Sequence, residues 1–407
     1  LEFRRVLFRS LSVLLLGSSL YVAAEGLSMY DTAQPFGYCT RSSRTDNTAA
    51  YDVTGGGAWD SSAAHAKGSI TLTADQANDM APAIMRALRS HDIVVLDGSK
   101  GDFIIGSLMH IENMSDKTLI GVNGAKLCTK WYITPTLTDT LNHAGVPHMS
   151  TSKHTGGRLS NNRYVSEQAE YNTRQIIINL TGDMEETYRE TGILSLRLCE
   201  NFIIRNIRFQ GPGSVDVGGA DLLSLINSRH IWIDHCDFRD GMDGNLDITQ
   251  SADFITVSWC TFAYTWRSYM HQNTNLVGYS DNERKGFLNI TYAYNHWGHG
   301  CHARMPMARA GRIHMLCNYY DCLGNPSPCI NPRMNSEFLI EGNYFADGIE
   351  HVFSQRDAAA WTWADTNHAP FTPKSNGNVI VPYPYNAIPT DNVPTEVKAH
   401  AGATISF

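Results

Sequence analysis

From about residue 94 the chain is a succession of short apolar, β-branched runs separated by Asn, Asp, Gly and Ser: IVVLDG, TLIGV, QIIINL, ILSLRL, FIIRNIRF, HIWIDHCDF, FITVSWCTF, LNITYAYNHW, RIHMLCNYY and FLIEGNYF. Runs of this kind read as strands too short to bury a face alone. Aligned on the aromatic that ends each, the last five place Cys236, Cys260, Asn295, Asn318 and Asn343 in one column, 24, 35, 23 and 25 residues apart. Such a period predicts a solenoid, in which each coil covers its neighbour. The expected class is therefore all-β: a right-handed, single-stranded parallel β-helix. Stacked at about 4.8 Å, turn asparagines can bond along the column and satisfy one another. Cys236 and Cys260 would stack as thiols or pair as a disulfide; adjacent-coil geometry is not tuned for a bridge, which favours thiols.

Other segments depart from this pattern. Residues 73–91 carry a helical stripe of Ala77, Met80, Ala81, Ile84, Met85 and Leu88, with Thr73 and Gln76 spaced as a capping box. Pro82 either kinks this helix or marks a later start, and the helix is expected to cap the N-terminal end of the solenoid. Residues 133–172 interrupt the coils and residues 354–407 form a proline-containing tail. In a solenoid such insertions gather on one face as long loops that wall a groove. Residues 1–10 resemble the translation of a sequencing-library adapter, a non-native leader. SVLLLGSSLYVAAEG, residues 12–26, has the apolar run and small residues of a secretory signal peptide cut before Glu25, so residues 11–24 read as its truncated remainder. Residues 25–407 are then a single β-helix domain with the tail packed on it.

Charge narrows the partners. With 32 basic and 40 acidic residues the net charge is −8, and no long basic run follows a nucleic-acid backbone. The apolar run near the N-terminus is too short to span a bilayer. Negative charge also opposes a polyanionic substrate, unless a bound cation or an arginine cluster reverses the field locally. Hydrophobic residues at 43% and charged residues at 18% exclude a disordered chain. The nine cysteines lack CxxC pairs and so form no zinc framework.

Two constellations could carry chemistry. Asp243 and Asp247 stand four apart in DGNLD, with Asp221 about one coil upstream. Hard oxygens from neighbouring coils can converge on calcium, which takes six to eight of them in irregular geometry; the alternative is a solvated acidic turn. Arg304 and Arg309 flank a proline turn in RMPMARAG, and two guanidiniums there can project into one groove and hold carboxylates, or simply lie on the surface. His296, His299, His302 and Cys301 are spaced wrongly for a transition-metal site. Dinucleotide, P-loop, HExxH and GxSxG motifs are absent from the sequence.

In order, WIDHCDF, DGNLD, TVSWCTF, HQNTNLVGYSD (271–281), RMPMARAG (304–311) and HMLCNYY (314–320) resemble the motifs of polysaccharide lyase family 1, the pectate lyases. The resemblance implies a secreted, monomeric enzyme of bacterial type that cleaves α-1,4-polygalacturonate by β-elimination to 4,5-unsaturated products. It implies that Asp221, Asp243 and Asp247 bind calcium, that Arg304 removes the C5 proton, and that Arg309 binds uronate. Two positions depart from the family pattern. Asn273 stands where a substrate-binding lysine is expected and offers a hydrogen bond without charge, a loss that Arg267 could offset; Gly219 stands where some members carry another calcium-binding aspartate. Competing readings are a pectin lyase acting on methylated polymer, a β-helical hydrolase using Asp243 with Asp247 as its carboxylate pair, and a noncatalytic polysaccharide-binding solenoid.

Overall fold

A computed structural model describes residues 34–143, 189–214, 219–268, 271–355 and 358–407. The strand expected at QIIINL, the leader and the signal segment lie outside these residues. The chain forms the expected parallel β-helix: among the described residues, three sheets of ten, seven and eight strands run along its length, and every pairing between those strands is parallel. One coil shows the path. Leu223–Ile226 joins the seven-stranded sheet, Arg229–Asp234 the ten-stranded sheet and Asp237–Arg239 the eight-stranded sheet, after which Leu246–Thr249 begins the next coil.

The corner between the ten- and eight-stranded sheets takes only two residues, and the first is left-handed in coil after coil: Asn206, His235, Trp259, Tyr294, Cys317 and Gly342 all have φ between 47° and 65°. The second corner residue is the aligned column. Asn295 donates to Asn318 Oδ1 (3.1 Å), Asn318 to Asn343 Oδ1 (2.9 Å) and Asn343 to Asn367 Oδ1 (3.0 Å). Each amide oxygen also accepts a backbone N–H, as Asn295 does from Cys260. A buried amide left unpaired would cost about 1–3 kcal/mol, so the ladder fixes coil register as well as stability. Cys236 and Cys260 are free thiols, as are the other seven cysteines.

Beneath the eight-stranded sheet the aromatic that ends each run stacks on the next: Phe209, Phe238, Phe262, Trp297, Tyr320 and Phe345 have successive ring centroids 4.4–5.4 Å apart. This column belongs to one apolar core extending from Ala74 to Trp363.

The N-terminal helix is shorter than the stripe suggested. It spans Ala81–Ser90, with Pro82 in its first turn, because proline lacks the N–H and clashes with the preceding turn anywhere deeper. Thr73 instead ends the strand Ser69–Thr73, and Asp79 Oδ1 accepts from Ala81 N at 3.0 Å in place of the expected capping box. Met80, Ala81, Ile84, Ala87 and Leu88 join the core. The tail is also more than a cover: Ala360–Trp363 is a strand of the ten-stranded sheet, and Asn367 continues the asparagine ladder. The helix Val393–His400 packs Val393 and Val397 over the corner residues Trp259, Tyr294 and Cys317. Within the 133–172 interruption, Pro135–His143 is helical; residues 144–172 lie outside the described part.

Candidate active site

The sequence-selected residues all lie on the seven-stranded sheet or in the turns leading into it. Parallel hydrogen bonding carries these turns from coil to coil: Leu222 N donates to Gly244 O (3.1 Å), Asn245 N to Thr274 O (3.0 Å), Thr274 N to Ala303 O (3.0 Å) and Asn275 N to Arg304 O (2.7 Å). Asp221, Gly244, Asn273 and Arg304 therefore sit at or beside corresponding turn positions of four successive coils. Asp247 follows in the strand Leu246–Thr249, and Arg309 ends the strand Met307–Arg309.

The acidic residues behave differently from one another. Asp221 Oδ2 accepts from Ser224 Oγ at 2.9 Å, but its buried Oδ1 has no hydrogen-bond partner. Asp247 Oδ1 accepts from Leu276 N at 3.0 Å. Both residues keep some exposed surface, yet protein crowds their carboxylates. Burial first, then the charges of Asp247 and Asp243, pushes Asp221 well above the usual carboxylate range. Burial and the Asp243 charge push Asp247 up to about 7, against the nearby Arg304.

Between the two carboxylates lies the face of Gly244. A side chain there would begin 2.8 Å from Asp221 Oδ1, 2.9 Å from Asp247 Oδ1 and 3.4 Å from the Asn273 carbonyl oxygen, so glycine leaves a hollow lined by three oxygens. That donor set suits a hard cation. Asp243 is turned elsewhere, its Oδ1 2.9 Å from His271 Nε2 with the side chain 41% exposed. Among the described residues no three Asp, Glu, His or Cys side chains close around one point; the hollow is built from two carboxylates and a carbonyl. Gly219 cannot add a fourth group, because a Cβ there would lie 1.9 Å from Met242 Cγ.

The arginines differ as well. Arg304 has a left-handed backbone, φ 58°, and its charge acts on both Asp221 and Asp247. Among the described residues no hydrogen bond or ion pair engages its guanidinium. Arg309 is held: its Nε meets Asp281 Oδ1 at 2.9 Å and its Nη1 donates to Gly278 O at 3.0 Å. Asn273 Nδ2 lies 3.3 Å from His271 Nδ1, so with Nε2–H donating to Asp243 Oδ1 the His271 ring bridges Asn273 and Asp243.

His271 and Asp281 were not selected individually from sequence, although they are the first and last residues of HQNTNLVGYSD. Gly244 escaped as well, since nothing in a lone glycine shows what faces it. His296 pairs with Asp321 at 2.8 Å and Cys301 is buried, so the 296–302 histidines assemble no metal site among the described residues.

The fold and site are those of a parallel β-helix with carboxylates and arginines ranked along one sheet, and comparison supplies the class, a polysaccharide lyase, and the family. The pectate lyase family model matches residues 161–404, more than half the chain; the chain belongs to that family. It is 33% identical over 219 residues to pectate lyase A of the fungus Aspergillus niger, a match covering 51% of this chain and 64% of that protein. The fold is shared with a Bacillus sp. N165 pectate lyase solved in complex with trigalacturonate (TM-score 0.54, 19% identity, 90% of this chain and 98% of that one). It is also shared with Erwinia chrysanthemi pectate lyase C, solved with Ca2+ (TM-score 0.50, 17% identity, 83% and 92%).

Proposed function

We propose that this chain is a secreted, calcium-dependent pectate lyase that cleaves α-1,4-polygalacturonate by β-elimination. The observation that carries the reading is the unpaired Arg304 guanidinium beside two carboxylates whose protons are held unusually tightly. Family membership, and relatives solved with trigalacturonate or with Ca2+, support the substrate and the ion.

Asp221, Asp247 and the Asn273 carbonyl would hold calcium in the Gly244 hollow, with the charge of Asp243 close by. Calcium bound there supplies electron withdrawal from a uronate carboxylate, which acidifies its C5 proton. Arg309, anchored by Asp281 and Gly278, presents its remaining N–H groups to the sugar carboxylate. Arg304 takes the C5 proton, the C5–H electron pair becomes the C4=C5 double bond, and the C4–O bond breaks. The departing oxygen then takes a proton from solvent.

A guanidinium holds its proton far above neutral pH and is a poor base, so Arg304 must release one N–H proton to solvent before it takes the one from C5. Asn273 contributes a neutral donor where charge would bind uronate more tightly. The test is ultraviolet absorbance of the products from polygalacturonate, with calcium and with chelator. The expected result is unsaturated product that disappears on chelation and returns with calcium; saturated products, or unsaturated product indifferent to chelation, would overturn the reading.

A further inference from the structure

Outside the hollow, one surface feature is assembled with unusual care. Tyr132 and Trp266 are 43% and 46% exposed, and the Arg267 guanidinium lies over both rings, 4.9 Å from the Tyr132 centroid and 5.4 Å from that of Trp266. Cation–π attraction holds the guanidinium against both rings.

The turn that displays Trp266 and Arg267 is fixed from below. The buried carboxylate of Asp240 accepts from Thr265 N (2.6 Å), Thr265 Oγ1 (2.7 Å), Ser268 Oγ (2.8 Å) and Gln210 Nε2 (2.9 Å), and Ser268 N closes the turn on Thr265 O at 3.0 Å. Tyr132 is fixed separately: its neighbour Ile133 is buried and donates its N–H to Pro212 O at 2.8 Å. The two loops meet at Gly213, whose φ of 118° excludes other residues and whose missing Cβ would sit 2.2 Å from Arg267 O. The platform is preorganised, so a ligand would not have to order it.

It is also joined to the active site. Ser214 N donates to Ser268 Oγ at 3.1 Å, Ser214 Oγ donates to the His271 carbonyl, and the His271 ring bridges Asp243 and Asn273. The turn that carries the cation is thus linked, through Ser268, Ser214 and His271, to the position where the expected lysine is missing.

We infer that Tyr132, Trp266 and Arg267 form a uronate-binding subsite at the edge of the cleft, with the aromatic faces stacking on a sugar ring and Arg267 taking its carboxylate. A guanidinium clasps a carboxylate through paired N–H donors, and aromatic faces pack against the apolar C–H faces of a pyranose. The subsite restores on a neighbouring turn the positive charge that Asn273 lacks. This inference rests on the uronan-cleaving reading of the site for its ligand.

The test measures binding of a galacturonate hexamer and of its fully methyl-esterified form by calorimetry, in an Arg304→Ala background so that neither is turned over. Arg267→Gln is expected to weaken the acidic hexamer about tenfold while changing the neutral ester little. Tyr132→Ala and Trp266→Ala are expected to weaken both forms. Quenching of Trp266 fluorescence by the hexamer, absent in Trp266→Phe, gives a second readout that does not depend on loop integrity. Unchanged affinity in Arg267→Gln, or equal loss for acid and ester, would overturn the inference. Failure of the wild type to make unsaturated product would overturn the lyase reading instead and leave this binding pattern to be scored on its own.

Discussion

Two groups of buried carboxylates in this solenoid show opposite chemistry. Asp234, in WIDH on the ten-stranded sheet, is surrounded: Arg205 Nε at 2.8 Å, His235 Nδ1 at 2.7 Å and Ser258 Oγ at 2.7 Å, with Trp232 Nε1 donating in turn to Ser258 Oγ at 3.0 Å. Burial alone would raise this carboxyl, but His235 and Arg205 outweigh it and hold it below its ordinary value. On the seven-stranded sheet Asp221 and Asp247 are crowded by protein and by each other, and both are pushed up. Motif identity does not separate them, since WIDH and DGNLD are equally prominent in the sequence. Satisfaction does: the first carboxylate is ringed by donors, and the second group leaves Asp221 Oδ1 without a hydrogen-bond partner.

The sharpest way to break this contrast is in the complete network. Asp234→Asn leaves Arg205, itself fully buried, without its countercharge and is expected to destabilise the fold by about 3–5 kcal/mol, read as a lower denaturant midpoint. A midpoint close to wild type would show that the network is not structural.

The incomplete network should respond to pH in the opposite sense from an ordinary salt-bridged carboxylate. Folded-state values above the unfolded ones mean that the native state binds more protons. The contribution of Asp221 and Asp247 to the stability of the calcium-free protein is then greatest at low pH and falls as pH rises from about 4, the unfolded value, through about 7, where Asp247 titrates. Calcium at pH 8 should restore it. Asp247→Asn should abolish most of the calcium response, and the wild-type minus variant difference in melting temperature should fall as pH rises through about 7; a difference that does not fall would contradict the assignment.

The asparagine ladder tests whether satisfaction alone sets cost. Asn318→Ala leaves the oxygen of Asn343 and the amide of Asn295 short of a partner and is expected to cost about 1–3 kcal/mol without altering product chemistry. The smallest effect concerns binding. Asn273→Lys adds a cation beside the hollow and should lower KM for polygalacturonate several-fold, by up to about tenfold, with little change in kcat; an unchanged KM would mean that position 273 does not meet the polymer.

Much of this was legible in the sequence because a solenoid writes its geometry as a period. The column of Cys236, Cys260, Asn295, Asn318 and Asn343 is one stack in space, and the order of motifs delivered Asp221, Asp247 and Arg304 to neighbouring coils. What was not legible depends on what faces what. Thr73 and Gln76 fit a capping box by spacing, but Pro82 moved the helix start. Gly244 matters because two carboxylates flank its open face, Gly219 because Met242 fills its own, and Arg267 because Tyr132 is brought to it across Gly213. Those meetings occur between distant segments, where no local pattern records them.

The most direct test of the central claim is the rate of unsaturated-product absorbance from polygalacturonate for Arg304→Ala, with circular dichroism and the calcium-dependent melting shift confirming an intact β-helix and hollow. A loss of about a thousandfold or more in kcat, with the calcium shift retained, is the expected result. Turnover near the wild-type rate in that folded, calcium-responsive variant would contradict the assignment of Arg304 as the base.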